Sequence, residues 1–313
     1  MRRILIAALL LIAVAFGTLA WTFTAADLDV PEAPAIAPLP AMTTQGVELK
    51  AILAGKMFSS AGLAFRGGSL GEERIFGMGA ILVRHPKGTI LFDTGLGKNV
   101  DEHFNTVPWL MQQTARYEKE PTVAEQLSEA RIPLNGILLT HAHWDHVSGL
   151  EDLKSVPTFV PEAELDFIHK GGDATALARA LDVTIYQTYG FPDGPYQGFD
   201  TSFDLYSDGS VVLVPAPGHT PGSIFAFIAT SDGKRYLLIG DTAWQSEGYE
   251  HPAEKPWLAR RLVDDDPEKI RALLVRLNQL KQQIPGLIIV PAHDRRIWET
   301  LPQLKEPSPS PQQ

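Results

Sequence analysis

From residue 4 to residue 23 the chain is apolar, broken only by Gly17, Thr18 and Thr22, and two arginines follow Met1 ahead of it. A run of that length and flank predicts an export signal or a retained membrane anchor over residues 1–26, because no amphipathic period marks a buried helix. Small residues at Thr18/Ala20 and Thr24/Ala26 offer cleavage positions. The arginines would stay on the cytoplasmic side and place the remainder outside, so the expectation is an exported protein, periplasmic or extracellular, or anchored and facing outward. Residues 27–44 carry Pro31, Pro34, Pro38 and Pro40 among alanines, the composition of a semi-rigid linker. Residues 305–313 alternate proline with serine and predict a disordered tail. A single folded domain over residues 45–304 is then expected.

Within that domain, apolar runs at 80–83 and 89–92 flank His85-Pro86-Lys87-Gly88 and predict a β-hairpin. Thr122 and Glu125 have capping-box spacing and open a short helix ending near Ala130. Strands are expected at 136–139, 210–214, 223–228, 235–239 and 287–290. Between the last two, Asp266 caps a helix with Pro267 in its first turn, and Ile270, Leu273, Leu274, Leu277, Leu280 and Ile284 recur along one face. The segment 100–117, with Phe104, Trp109, Leu110 and Met111, reads as an apolar lid or as an ordinary packed helix.

Charge and composition narrow the chemistry. The formal net charge is −10, from 37 acidic and 27 basic residues, and no basic stripe is present, so nucleic acid is not expected as a partner. The chain has no cysteine. Disulfides, thiolate nucleophiles and Cys-ligated metals are excluded, and any metal site must be built from His and carboxylate, which suits zinc, iron, manganese or cobalt.

Such a set is visible. His141-Ala142-His143-Trp144-Asp145-His146 follows the apolar run 136–139, and Asp241 and His293 likewise stand just past strand runs. Loops at strand ends are where a rigid sheet can hold an active site. In a tight loop His141 and His143 can grip one ion while Asp145 and His146 turn toward a second.

The hexapeptide, together with Pro217-Gly218-His219-Thr220-Pro221-Gly222, Ile239-Gly240-Asp241-Thr242, Pro291-Ala292-His293-Asp294 and Asp93-Thr94-Gly95, resembles the metallo-β-lactamase-fold hydrolases over about residues 47–300. The resemblance implies an α/β (α+β) fold, a four-layer αββα sandwich with metals at one edge. It implies two divalent ions, zinc foremost with iron, manganese or cobalt as alternatives. His141, His143 and His219 would bind one, Asp145, His146 and His293 the other, and Asp241 would bridge them. A water between the ions would become a bridging hydroxide, with Asp145 or Asp241 as the catalytic proton carrier. Asp93 would orient a ligand from behind. Trp144 would pack beneath the site.

Within the family the chain is most similar to the N-acyl-homoserine lactonase group, which shares the 22-residue gap (241 − 219 = 22) before the bridging aspartate. The expected activity is a lactonase or esterase acting on small molecules with a hydrophobic acyl or aryl group. The chain departs from that group at Trp244, where those lactonases carry a tyrosine whose hydroxyl contacts the lactone. Tyr249 then becomes a candidate for the missing donor, with His251 beside it. An aromatic wall at Trp244 also suits aryl esters and phosphotriesters. A mononuclear iron dioxygenase and a non-catalytic metal-binding protein are further alternatives. A membrane tether through residues 4–23 and a homodimer complete the expected associations.

Overall fold

The computed structural model describes residues 1–33, 35, 36, 38, 39, 44–181 and 186–304; the tail 305–313 and part of the proline-rich segment lie outside them. The strands are β1 (Glu48–Ser60), β2 (Glu73–His85), β3 (Gly88–Phe92), β4 (Arg116–Lys119), β5 (Gly136–Leu138), β6 (Thr158–Pro161), β7 (Tyr186–Tyr189), β8 (Phe203–Asp204), β9 (Val211–Pro215), β10 (Ile224–Ala229), β11 (Arg235–Leu238) and β12 (Leu287–Val290). They form one sheet of order β4-β1-β2-β3-β5-β6-β7 and another of order β12-β11-β10-β9-β8. The sheets pack face to face over Leu49, Ile81, Val83 and Phe92 on one side and Leu213, Ala226, Ile228 and Leu238 on the other. Each outer face is covered in turn. The first meets Leu127, Val147 and Ile168 from helices and their flanks, and the second meets Ile270, Leu274, Leu277 and Leu280 of the helix Pro267–Gln283. This is the four-layer αββα sandwich.

Local signals fall where the residue chemistry requires them. The Thr122 side chain accepts from the Glu125 N–H and the Glu125 carboxylate from the Thr122 N–H, the complete reciprocal cap. Asp266 accepts from the Glu268 and Lys269 N–H groups, with Pro267 filling a position that needs no donor. The expected hairpin forms as β2 and β3, with Ile81 opposite Phe92 and His85 opposite Gly88, and β2 extends beyond its apolar run to pair with β1 from Glu48 opposite Arg84 to Ser60 opposite Glu73. The segment 100–117 is not one helix. It breaks into the short helix Val100–His103, a 3-10 turn, the helix Trp109–Thr114 and the start of β4, because Pro108 interrupts the backbone donors. The described part of 27–44 lies along the domain: the Leu28 N–H donates to the Pro252 carbonyl at 2.7 Å and the Gln279 side chain to the Pro31 carbonyl at 3.0 Å.

The topology gathers strand ends. β3 and β5 run parallel, as do β11 and β12, so the residues following Phe92, Leu138, Leu238 and Val290 emerge along one edge of the sandwich. The opposite edge is closed by a polar clasp. His85 Nε2 donates to Asp208 Oδ2 at 2.9 Å while its ring stacks on Tyr206 at 3.8 Å. Burial opposes ionisation of Asp208, but the Ser210 and Thr44 hydroxyls, the Ser210 N–H and His85 outweigh it and hold the carboxyl below its ordinary 3.8. A depressed carboxyl stabilises the fold above the unfolded-state value and loses that contribution as pH falls through the folded one. Asp208→Asn is therefore expected to cost about 1–2 kcal/mol near neutral pH. The gap between denaturant melts of the two proteins should narrow progressively as pH falls below about 4; a pH-independent gap would refute the account.

Candidate metal centre

Asp93 adopts φ 58°, a left-handed conformation that aspartate tolerates better than most residues, immediately after β3. The turn aims its carboxylate inward. Oδ1 accepts from the Thr140 N–H at 2.7 Å, and Oδ2 from the Thr140 hydroxyl at 2.8 Å and from His146 Nδ1 at 2.9 Å. Thr140 in turn receives His141 Nδ1 on its oxygen at 3.1 Å. One carboxylate thus fixes two histidines of the hexapeptide. Gly240, at φ 49°, lets the exit of β11 pass Thr140, whose Oγ1 would stand 3.2 Å from any Cβ there.

His219 and His293 are held the same way by groups from distant parts of the chain. His219 Nδ1 donates to Asp264 Oδ1 at 2.8 Å, and His293 Nδ1 to the Gly77 carbonyl at 3.0 Å. With Nδ1 engaged as donor, Nε2 is the atom each ring turns inward as its candidate ligand. These Nε2 atoms converge. His141, His143 and His219 offer ligand atoms within 4.8 Å of one another, as do Asp145, His146 and His293, and His141, His146 and Asp241. Asp241 lies between the first two groups, with Oδ2 3.5 Å from His219 Nε2 and Oδ1 3.1 Å from His293 Nε2 and 3.3 Å from His146 Nε2.

All seven side chains are buried, yet Nε2 of His141, His146 and His219 and Oδ1 of Asp241 have no hydrogen-bond partner. Four orphaned buried atoms aimed at one another are costly unless something joins them, and neutral imidazoles with carboxylates suit a divalent cation. The donor set fits a metal.

The electrostatics divide along the same line. Burial, reinforced by neighbouring histidines, pushes His141 well below the usual imidazole range and His143 down to about 3. Burial acts on His293 too, but the Asp241 and Asp145 carboxylates overcome it and lift the ring to about 10. His146 is raised above its ordinary value, against burial, by Asp93, Asp145 and Asp241. Asp241, also against burial, is held well below the carboxylate range by His293 and His146. Burial thus keeps His141 and His143 neutral with lone pairs to donate, while the carboxylates beside His146 and His293 favour the charged form of those rings.

Several supporting residues have no distinct mark in the sequence. Glu164, buried just after β6, accepts from the Ala142 N–H at 2.7 Å, the Thr220 hydroxyl at 2.6 Å and the Gly222 N–H at 3.0 Å, tying the two histidine loops together. Burial pushes its carboxyl up to about 7 although these donors favour ionisation. Lys255, also buried, donates to the Asp241 carbonyl and to Asp264 Oδ1, both at 2.8 Å. The run Asp264-Asp265-Asp266 is the sole hint, and within it only Asp266 carries a local signature, that of a helix cap.

Trp244 directs its indole N–H to Asp241 Oδ2 at 2.8 Å and packs edge-on against Phe76. Tyr249 corrects an expectation. It is buried in the second sheet's outer core, its hydroxyl reaching the Ile289 carbonyl at 3.4 Å, and does not line the cavity. The sequence places it near Asp241, but the turn into the helix Glu247–Glu250 rotates it away from the metal edge. His251 is exposed and likewise absent from the cavity lining. Trp144 packs edge-on against Phe104 and lines the cavity, a correction to its expected place beneath the site.

The cluster opens into a cavity of about 690 Å³. His143, Asp145, His219, Asp241 and His293 form its floor, and its walls are chiefly apolar, among them Met57, Phe76, Val107, Met111, Leu258 and Leu262. Val107 and Met111 place the segment 100–117 in the wall.

Comparison with known proteins yields consistent likenesses. The sequence model described as the metallo-beta-lactamase superfamily matches residues 80–293. A probable metallo-hydrolase of Mycobacterium tuberculosis is 30% identical over 244 residues, 70% of this chain and 75% of that protein. Among solved structures, an N-acyl homoserine lactone hydrolase with the product N-hexanoyl-L-homoserine at its catalytic metal center superposes with a TM-score of 0.65 at 18% identity, over 85% of this chain and 99% of that one. A mutant of B. thuringiensis AiiA with N-decanoyl-L-homoserine bound at the active site gives the same score and coverages at 19% identity. At such identities the structural likeness speaks for the fold.

Proposed function

Because this chain belongs to the metallo-beta-lactamase superfamily and is a metal-dependent hydrolase, we propose that it opens lactones or cleaves esters carrying a hydrophobic acyl group, N-acyl-homoserine lactones among them. The observation that carries this reading is the floor of the apolar cavity: His and Asp side chains with unsatisfied inward-facing atoms meet a chamber suited to a hydrocarbon chain. The two structural neighbours hold N-acyl-homoserines, N-hexanoyl-L-homoserine as product in one and N-decanoyl-L-homoserine in the other. His141, His143 and His219 would hold one divalent ion and Asp145, His146 and His293 another, with Asp241 between them and zinc the expected metal. When bound, such ions supply a Lewis acid for the carbonyl oxygen and a water acidic enough to attack near neutral pH.

The chain's own groups supply the rest. Apolar walls desolvate the acyl chain and hold the ester at the floor. Asp145, whose Oδ2 lies 3.3 Å from His293 Nε2, faces the cavity and can take a proton at a carboxylate oxygen and return it to the leaving alkoxide. Trp244 spends its only donor on Asp241, so it positions that carboxylate and offers substrate an apolar ring. Trp244→Phe is expected to weaken metal retention about 10–100-fold, measured by competition with a chelator. Unchanged retention would leave the indole N–H without a role.

That aromatic wall supports a second reading, an arylesterase or phosphotriesterase. A panel of acyl-homoserine lactones of increasing chain length, an aryl ester and a nitrophenyl phosphotriester separates them on one metallated preparation. The first reading expects ring-opened acids and kcat/KM rising with chain length. Turnover of the phosphotriester alone would overturn it.

A further inference from the structure

The helix Arg2–Trp21 is long and apolar enough to cross a membrane, and none of its apolar span is buried in the protein. The residues just past it are seated on the domain. Arg66 lays its guanidinium over the Trp21 ring at 4.8 Å and donates to the Trp21 and Thr24 carbonyls at 3.3 and 3.1 Å. The Gly67 N–H donates to the Phe23 carbonyl at 3.0 Å. Gly67, at φ 92°, passes so close to Ala25 that a Cβ there would lie 2.9 Å from its methyl. The junction is thus docked at a fixed point of the domain.

That point adjoins the cavity mouth. Arg66 and Gly67 stand one residue past the helix Ala61–Ala64, whose Leu63 lines the cavity. The Arg66 N–H donates at 3.0 Å to the carbonyl of Glu254, which leads into the helix Trp257–Val263, whose Leu258 and Leu262 line it as well. Among the described residues of 45–304, the exposed large hydrophobics are Leu70, Ile75, Trp109, Trp257 and Leu262. Leu262 lines the cavity, and Ile75, Trp109 and Trp257 are chain neighbours of the lining residues Phe76, Pro108 and Leu258. Leu70 packs against Gly62, beside Leu63. Trp109 is 71% exposed, Leu70 60% and Trp257 48%. Exposed apolar side chains gathered beside lining residues mark an interaction site, and tryptophan is the residue type favoured where lipid meets water. A net charge of −10 removes bulk attraction to anionic lipid, so this surface must act through apolar insertion.

We propose that the cavity rim docks on the lipid bilayer that holds the helix Arg2–Trp21, so that the chamber opens toward the headgroup boundary and takes lipophilic substrates from the membrane. The substrate half of this inference rests on the reading of the chamber as an acyl or aryl site; the docking half stands without it. Insertion of the rim tryptophans supplies affinity, and the seat at Arg66 and Gly67 supplies orientation. Only the first dozens of ångströms above the membrane are accessible to a domain held this closely.

The absence of cysteine makes the test direct, because any introduced thiol is unique. The full chain is reconstituted in phosphatidylcholine vesicles with a nitroxide at Leu70→Cys or Trp257→Cys. A control label stands at Lys234→Cys, in the turn between β10 and β11 at the opposite end of β11 from Asp241. Relaxation by oxygen is expected to exceed relaxation by water-soluble chromium oxalate several-fold at 70 and 257, and the reverse is expected at 234. Equal relaxation by chromium oxalate at all three positions would overturn the proposal, as would dipolar coupling showing a second copy of the chain across the rim. In the same vesicles Trp257→Glu should raise KM several-fold for a long-chain ester dissolved in the lipid, with kcat/KM for a short water-soluble ester unchanged; an equal change for both would also overturn it. Lipid accessibility at both labels in a protein that hydrolyses none of these esters would support docking and refute only the proposed activity.

Discussion

Asp241→Asn is expected to lower kcat/KM by about 10²–10³-fold or more and to reduce the number of metal ions retained after dialysis. The side chain stands between two histidine groups, with Oδ1 unpartnered and His146, His219 and His293 Nε2 within 3.5 Å of one or the other oxygen. Asparagine keeps the volume but loses the charge that would offset the cations of the proposed centre. Its orientation is also decided in advance. The Trp244 indole N–H demands an acceptor at the Oδ2 position, so the amide oxygen takes that place and the NH2 group faces the histidine nitrogens where Oδ1 now sits. A donor then opposes the position a cation would occupy. Metal content by mass spectrometry and turnover on the best ester of the panel, measured on one preparation, check the expectation. An asparagine variant with two retained ions and normal turnover would remove Asp241 from the proposed mechanism.

Glu164→Ala is expected to be the most damaging change away from the ligand set, at roughly 3 kcal/mol, because three donors lose their acceptor in a buried place. A loss of that size corresponds to roughly 6–12 °C in Tm for a domain of this size. The Ala142 and Gly222 N–H groups belong to the two loops that carry His141, His143 and His219, so metal retention should fall with stability. Glu164→Gln tests the chemistry. It keeps one acceptor oxygen but turns an NH2 toward a donor, so it should lie between the native protein and the alanine variant. The pH dependence comes from the raised carboxyl. Because the folded value of about 7 stands above the ordinary 4.5, this side chain's contribution is fully present below 4.5 and is lost as pH rises through 7. The penalty of the alanine variant should therefore be larger near pH 5 than near pH 8. Equal melting temperatures for the three proteins would refute the tether.

The seven histidines and aspartates of the cluster are legible in the sequence for a local reason. Four lie in one hexapeptide, and His219, Asp241 and His293 follow apolar runs that fold as β9, β11 and β12. Strand periodicity and turn residues act over a few positions, so a reader of the chain can place a loop at a strand end without knowing the partner strand. The helix Pro267–Gln283 is legible for the same reason, through its cap and its apolar face.

The groups that aim those ligands are not. Asp264 reaches His219 across 45 positions of sequence, the Gly77 carbonyl reaches His293 across 216, and Glu164 reaches Thr220 across 56. Backbone carbonyls carry no residue-specific signal, and a lone glutamate after a strand looks like any helix start. Tyr249 shows the converse failure, since nearness in sequence to Asp241 does not fix direction once a turn intervenes. Trp244 is visible as a departure from the lactonase pattern, but that its N–H is consumed by Asp241 is a matter of rotamer and neighbour.

By itself, then, the sequence determined the strands, turns and ligand types that local periodicity and short motifs encode, and the resemblance of those motifs implied a metallo-beta-lactamase-superfamily sandwich with a His and Asp cluster at one edge. The tertiary structure alone decided which carboxylate or carbonyl locks each imidazole, how the floor meets an apolar chamber, and where that chamber opens relative to the N-terminal helix. Those are distances between segments remote along the chain, and they exist only once the two sheets have packed.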